Sequence, residues 1–209
     1  VVIYERPTPL RSESVGLATR GSLEGGVPMM DGPGRILKHK QSKAWATAHV
    51  VAMMDRALIA WSERGEDVQP VLVGNMAARE GGRLPPHGSH QSGRDVDISY
   101  IQKGPEAKDL NWRDMSEKNL DAGETWKLLE TLVATGAVEH IFIDRKLQKV
   151  LYDYAVAEKL VSRRDLGTWL EYPRKTGSAN AIVKHVKGHT DHIHVRFGCP
   201  AEMKRCRSK

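Results

Sequence analysis

Six of the nine histidines fall into two groups, His87 with His90 and His185 with His189, His192 and His194. Six residues separate His90 from Asp97, with Gly93 between them to let a loop turn into the segment that carries the aspartate. His192 and His194 alternate along an apolar stretch, so a strand there would project two imidazoles to one side, about 6–7 Å apart, close enough to share a metal. Imidazole and carboxylate together suit zinc. Three protein ligands with an open fourth position make a zinc-bound water nucleophilic near neutral pH. Taken singly, each part has an ordinary explanation: a lone His-x-His on an edge strand, an Asp95/Asp97 pair capping a turn, His87 and His90 as solvated loop residues. Together they would have to occupy polar faces of two otherwise apolar strands for unrelated reasons, and a metal site is the better reading. Spacing leaves open which of His192 and His194 is the ligand.

The elements that must carry these residues can be read from periodicity. Residues 95–101 alternate, with Asp95, Asp97 and Ser99 on one face and Val96, Ile98 and Tyr100 on the other. Residues 192–197 do the same, with Ile193, Val195 and Phe197 facing away from His192, His194 and Arg196. Further strands are expected over 70–74 and 138–143. Ala46, Val50, Met53, Met54, Ala57, Leu58 and Trp61 follow helical spacing, with Ser42 as a candidate N-cap and Gly65 as the stop. Asp121 and Glu124 form a capping box ahead of a second helix closed by Gly136, and further helical pieces are expected over 147–154 and 165–170. His49 and the lone His140 read as structural. The first 35 or so residues are rich in Pro, Gly and Ser, which predicts an extended arm over 1–38 packed on a domain spanning 39–209. Helices and strands mix without a regular βαβ rhythm, so the fold class is α+β.

The chain has 209 residues, 40% hydrophobic and 28% charged, which excludes collagen-like and wholly disordered readings. Its longest apolar run, 50–61, is interrupted by Asp55 and Arg56, so no transmembrane segment is expected. The N-terminus has no basic-then-apolar leader, so a signal peptide is expected to be absent or already removed. A formal charge of +6 favours a polyanion, either nucleic acid or an anionic cell-wall polymer. Scattered basic residues without a recognition motif argue against nucleic acid. Cys199 and Cys206 are expected to form a local disulfide in an oxidising compartment, the alternative being two free thiols.

The segments Gly81-Gly82-Arg83, His87-Gly88-Ser89-His90-Gln91-Ser92-Gly93-Arg94-Asp95-Val96-Asp97-Ile98 and Gly188-His189-Thr190-Asp191-His192-Ile193-His194-Val195-Arg196 resemble those of the penicillin-insensitive murein endopeptidases. That family belongs to a wider group of zinc peptidases named for lysostaphin, D-alanyl-D-alanine peptidases and sonic hedgehog. The resemblance implies Zn2+ held by His90, Asp97 and His194, with His87, His189 and His192 completing the histidine-rich site. It implies a small antiparallel sheet flanked by helices, with the metal in an open cleft on one sheet face. It also implies a periplasmic or secreted protein acting on peptidoglycan stem peptides and cross-links.

The expected activity is zinc-dependent hydrolysis of a murein cross-link such as D-alanyl to meso-diaminopimelyl. No Glu lies beside the histidine motif, so His189 or His192 must act as general base, the order being open. Asp95 is a candidate to orient a ligand imidazole, and Arg83, Arg196 or Lys184 to pair with stem-peptide carboxylates. The alternatives are a zinc D-alanyl-D-alanine carboxypeptidase and a non-catalytic, zinc-containing cell-wall binding module.

Overall fold

The computed structural model describes residues 12–38, 41–177 and 180–208. The beginning of the expected arm, residues 1–11, lies outside the described residues. In chain order the strands and helices are β1 (Glu13–Leu17), β2 (Arg20–Glu24), β3 (Val27–Pro28), β4 (Arg35–Leu37), β5 (Trp45–Ala46), α1 (Ala48–Ser62), β6 (Val71–Val73), β7 (Asp95–Ile98), α2 (Ala122–Val133), β8 (Val138–Ile143), α3 (Arg145–Ala157), α4 (Arg163–Trp169), β9 (Val183–His185) and β10 (Ile193–Phe197). This is the α+β mixture that the patterning predicts.

The main sheet has six strands in the order β4-β6-β7-β10-β8-β9. It corrects one expectation: only its centre is antiparallel, whereas β4 pairs parallel with β6 and β8 parallel with β9. Parallel neighbours need a crossover connection. Here α1 lies between β4 and β6 in the chain, and α3 with α4 lies between β8 and β9. The outer strands β4 and β9 are three residues each, too short to show a period of two. Residues 13–24 form a separate hairpin of β1 and β2, so part of the Pro/Gly-rich segment is strand and β4 belongs to the main sheet.

Alternation sorts the central strands. Val96 and Ile98 of β7, Ile141 and Ile143 of β8, and Ile193, Val195 and Phe197 of β10 join Met54, Leu58 and Trp61 of α1, Trp126 and Leu129 of α2 and Leu151 of α3 in one buried core. Each such side chain contributes about 1.5–3 kcal/mol by leaving water. The opposite face of the same strands is left for Asp95, Asp97, His140, Phe142, His194 and Arg196. The helices start where side chains can satisfy their first amides. Thr47, not Ser42, caps α1, accepting from the Val50 N–H; Ser42 instead lies in a short 3-10 turn over Gln41–Lys43. Asp121 caps α2 as expected, accepting from the Glu124 N–H. No helix among the described residues is long and apolar enough to cross a membrane.

Candidate metal and catalytic site

β7 and β10 are antiparallel neighbours in a register that sets His194 opposite Asp97 and Arg196 opposite Asp95. Cross-strand partners sit about 4.5–5.5 Å apart at Cβ, so the pairing alone brings the two histidine-bearing regions together. The loop that delivers His90 closes onto the start of β7: the His90 N–H donates to Asp95 Oδ2 at 2.8 Å. His90 itself has φ +64° and Gly93 φ +69°, the left-handed turns that fold the loop back over the strand.

Four imidazoles converge on the Asp97 carboxylate, which is fully buried, His192 among them. His90 Nε2 lies 3.1 Å from Oδ1, His194 Nδ1 3.4 Å from Oδ1, and His87 Nδ1 3.8 Å from Oδ2. His90 Nδ1 donates to the Met76 carbonyl at 2.6 Å, and a carbonyl can only accept, so the lone pair of neutral His90 is on Nε2. Nε2 of His90 and both oxygens of Asp97 are buried without a hydrogen bond of ordinary geometry. A ring lone pair and a carboxylate held this close, out of water, call for a cation between them. A proton answers that need in part. Burial lowers the His90 pKa, but the hydrogen bond and charge of Asp97, with the charge of Asp95, outweigh it and the net shift is upward. Burial raises the Asp97 carboxyl, and the hydrogen bond and charge of His90, followed by the charges of His194 and His192, bring it below its usual value.

These residues therefore fit a divalent metal, and their imidazole and carboxylate donors suit zinc. Ligand atoms of His87, His90 and Asp97 lie within 4.8 Å of one another, so His87 stands beside the expected trio of His90, Asp97 and His194. Its Nε2 meets the Asn75 amide at 2.8 Å.

Asp95 supports the cluster from beneath. It is fully buried and holds Arg196 through Nε at 2.7 Å and Nη2 at 3.2 Å, besides the His90 N–H. Its Oδ1 lies 3.1 Å from His194 Nε2, on the far side of that ring from Asp97. Burial would raise the Asp95 carboxyl, yet His194 and Arg196 hold it well below the usual range. The expected Arg196 is thus committed to Asp95 while also lining the cleft.

His189 and His192 flank the cluster, with ring centroids 4.8 Å apart. Burial, then the neighbouring His192 and His194, push the His189 pKa down to about 4, so its imidazole is neutral at pH 7. His192 lies just before β10. Its Nδ1 meets Asp191 Oδ1 at 2.6 Å, and its Nε2 faces Asp97 Oδ1 at 3.8 Å. The two remaining expectations diverge. Arg83 is exposed and is not among the cleft-lining residues. His185, grouped in sequence with the C-terminal histidines, accepts the Arg145 N–H at 2.9 Å and so serves the start of α3.

The histidines open onto a cleft of about 710 Å³, within the usual range for a ligand site. Phe142, His140, Val186 and Lys184 line it, together with Leu17, Thr19, Arg207 and Ser208. His140, read from sequence as structural, is therefore part of the cleft. The Cys199–Cys206 disulfide is formed and closes the C-terminal segment. Arg94, 2% exposed, ties that segment down, donating to Glu139, the Phe197 carbonyl and the Arg207 carbonyl. Neither Arg94 nor Trp112, which stacks on His192, was singled out by sequence: an arginine in a polar loop and a tryptophan outside any periodic element carry no spacing signal.

The sequence model of the penicillin-insensitive murein endopeptidase family matches residues 14–209, taking in most of the segment expected to be an arm. Penicillin-insensitive murein endopeptidases of Escherichia coli (strain K12 / DH10B), Escherichia coli O157:H7 and Shigella boydii serotype 18 are each 26% identical over 217 residues, covering 96% of this chain and 72% of the relative.

Proposed function

Since the chain belongs to the penicillin-insensitive murein endopeptidase family, we propose that it is a zinc-dependent hydrolase of peptide cross-links in murein, including the D-alanyl to meso-diaminopimelyl bond, working in the periplasm or outside the cell. The observation that carries this reading is the buried donor set without hydrogen bonds of ordinary geometry, His90 Nε2 and the Asp97 carboxylate, with His194 beside it and two further imidazoles at the mouth of an open cleft. His90, Asp97 and His194 would hold the metal, with His87 adjacent. When bound, zinc supplies Lewis-acid polarisation of the scissile carbonyl and a water of lowered pKa.

The chain's own groups divide the remaining work. His192 takes a proton at Nε2, because Asp191 occupies its Nδ1 and stabilises the imidazolium that forms, the division of labour seen wherever a carboxylate orients a catalytic histidine. His189, neutral at pH 7, donates an N–H to the oxygen that gains charge. Lys184 on the cleft wall pairs with a stem-peptide carboxylate, and Phe142 and Val186 pack against its apolar parts. The net positive charge favours approach to the anionic wall.

Digestion of purified cross-linked murein with and without a chelator, read by mass spectrometry of the soluble fragments, tests the proposal. Chelator-sensitive conversion of dimeric to monomeric muropeptides is the expected result. Release of terminal D-alanine alone would make it a carboxypeptidase, and bound zinc without cleavage would make it a binding module.

A further inference from the structure

Trp112 lies in the connection between β7 and α2, within no strand or helix. Its indole stacks on the imidazole of His192, with ring centroids 5.0 Å apart and planes inclined by 14°. The indole is itself immobilised. A Cβ on Gly74, at the end of β6, would come within 2.3 Å of Trp112 Cη2 and 2.4 Å of Cζ2, so the ring edge rests on that glycine's backbone. The Lys38 ammonium sits 3.9 Å from the ring centroid, a cation–π contact. The segment on either side is tied to the strand-entry loop that bears His192: the Met115 N–H donates to the Thr190 carbonyl at 2.8 Å, and Thr190 Oγ1 to Asp114 Oδ1 at 2.5 Å.

His192 needs such a support. Asp191 fixes only its Nδ1, and that carboxylate is 42% exposed. One hydrogen bond to an exposed carboxylate does not by itself fix the ring's torsion about Cβ–Cγ, and turning about that bond would carry Nε2 away from Asp97. A flat stack removes that rotation while leaving Nε2 free for proton transfer and Nδ1 on Asp191. We propose that Trp112 is a positioning residue that clamps the His192 ring edge-on to the metal cluster, so that Asp191 sets the tautomer and Trp112 sets the plane. The proposal rests on His192 as the proton acceptor in the reading above.

The test compares Trp112→Phe, Trp112→Leu and Trp112→Ala with His192→Ala, each zinc-loaded and with zinc content measured, on a soluble cross-linked muropeptide dimer. Because misplacing a catalytic group by about 1 Å costs on the order of 100-fold, Trp112→Leu and Trp112→Ala should lose about 10- to 100-fold in kcat with KM within about 3-fold. Trp112→Phe, which keeps a flat face, should recover most of the loss. In the zinc-free protein, ring current from the indole should hold the His192 ring-proton resonance upfield, and Trp112→Leu should release it. Equal kcat for the Phe and Leu variants, a change confined to KM, or no upfield shift of His192 would overturn the proposal. Should Trp112→Ala fail to fold, the Phe and Leu comparison decides. Full activity in His192→Ala would instead sink the assignment of the base. A dead His192→Ala with an unaffected Trp112 series sinks the clamp alone.

Discussion

Replacing Asp95 by Asn separates the support of the proposed metal site from its proposed ligands. Four donors or ring edges surround this carboxylate: Arg196 Nε at 2.7 Å and His194 Nε2 at 3.1 Å on Oδ1, the His90 N–H at 2.8 Å and Arg196 Nη2 at 3.2 Å on Oδ2. An amide keeps one oxygen, so whichever way it turns, its NH2 faces two of these groups, and the guanidinium of Arg196 loses its counter-charge. Removing one partner of a buried ion pair costs about 3–5 kcal/mol. For a chain of this size that corresponds to a Tm lower by about 6–20 °C. The same change frees the His194 ring and the His90 loop, and loss of such a supporting contact weakens metal binding by about 10- to 100-fold. The two effects are measured apart: urea unfolding of both zinc-free proteins gives the stability, and competition with a chromophoric chelator, well below either Tm, gives the zinc affinity. Zinc affinity within about 2-fold of the parent in a folded Asp95→Asn protein would refute the reasoning that Asp95 orients the ligands.

Asp97→Ala should empty the site, with zinc content falling below stoichiometric by elemental analysis and affinity lower by more than about 100-fold, because the change removes a proposed ligand instead of its support. Arg94→Ala should cost about 3–4 kcal/mol in urea unfolding, since it strips charged hydrogen bonds from Glu139 and from the Phe197 and Arg207 carbonyls in a site 2% exposed. The double change Cys199→Ser with Cys206→Ser should lower stability by about 2–3 kcal/mol, the chain-entropy value for so short a loop, and dithiothreitol should reproduce it in the parent.

Much of the site was legible because strand periodicity is a strong local signal. Asp95 and Asp97 alternate with Val96 and Ile98, and His194 and Arg196 with Val195 and Phe197, so the apolar face and the face bearing the chemistry were both assignable. The histidine clusters and the cap at Asp121 were readable for the same local reason. The short strands β4 and β9 were not, since three residues cannot display a period. Their parallel pairing depends on crossovers through α1 and through α3 with α4. Ser42 offered a cap chemically as good as Thr47, and only the placement of the chain before α1 separates them.

Residue types and spacing thus determined by themselves the donor chemistry, which strand faces carry it and which family the motifs resemble. Tertiary structure decided everything that depends on register and on loops meeting: the pairing of Asp97 with His194 and of Asp95 with Arg196, and His87 standing next to Asp97. It also brought Trp112 onto His192, turned His185 away to the start of α3 and left Arg83 outside the cleft. The physical reason is that periodicity records only which way a side chain faces. Its partner across the sheet, the nitrogen it presents and the surface that locks its plane arise from contacts between segments distant in the chain, and those leave no local trace.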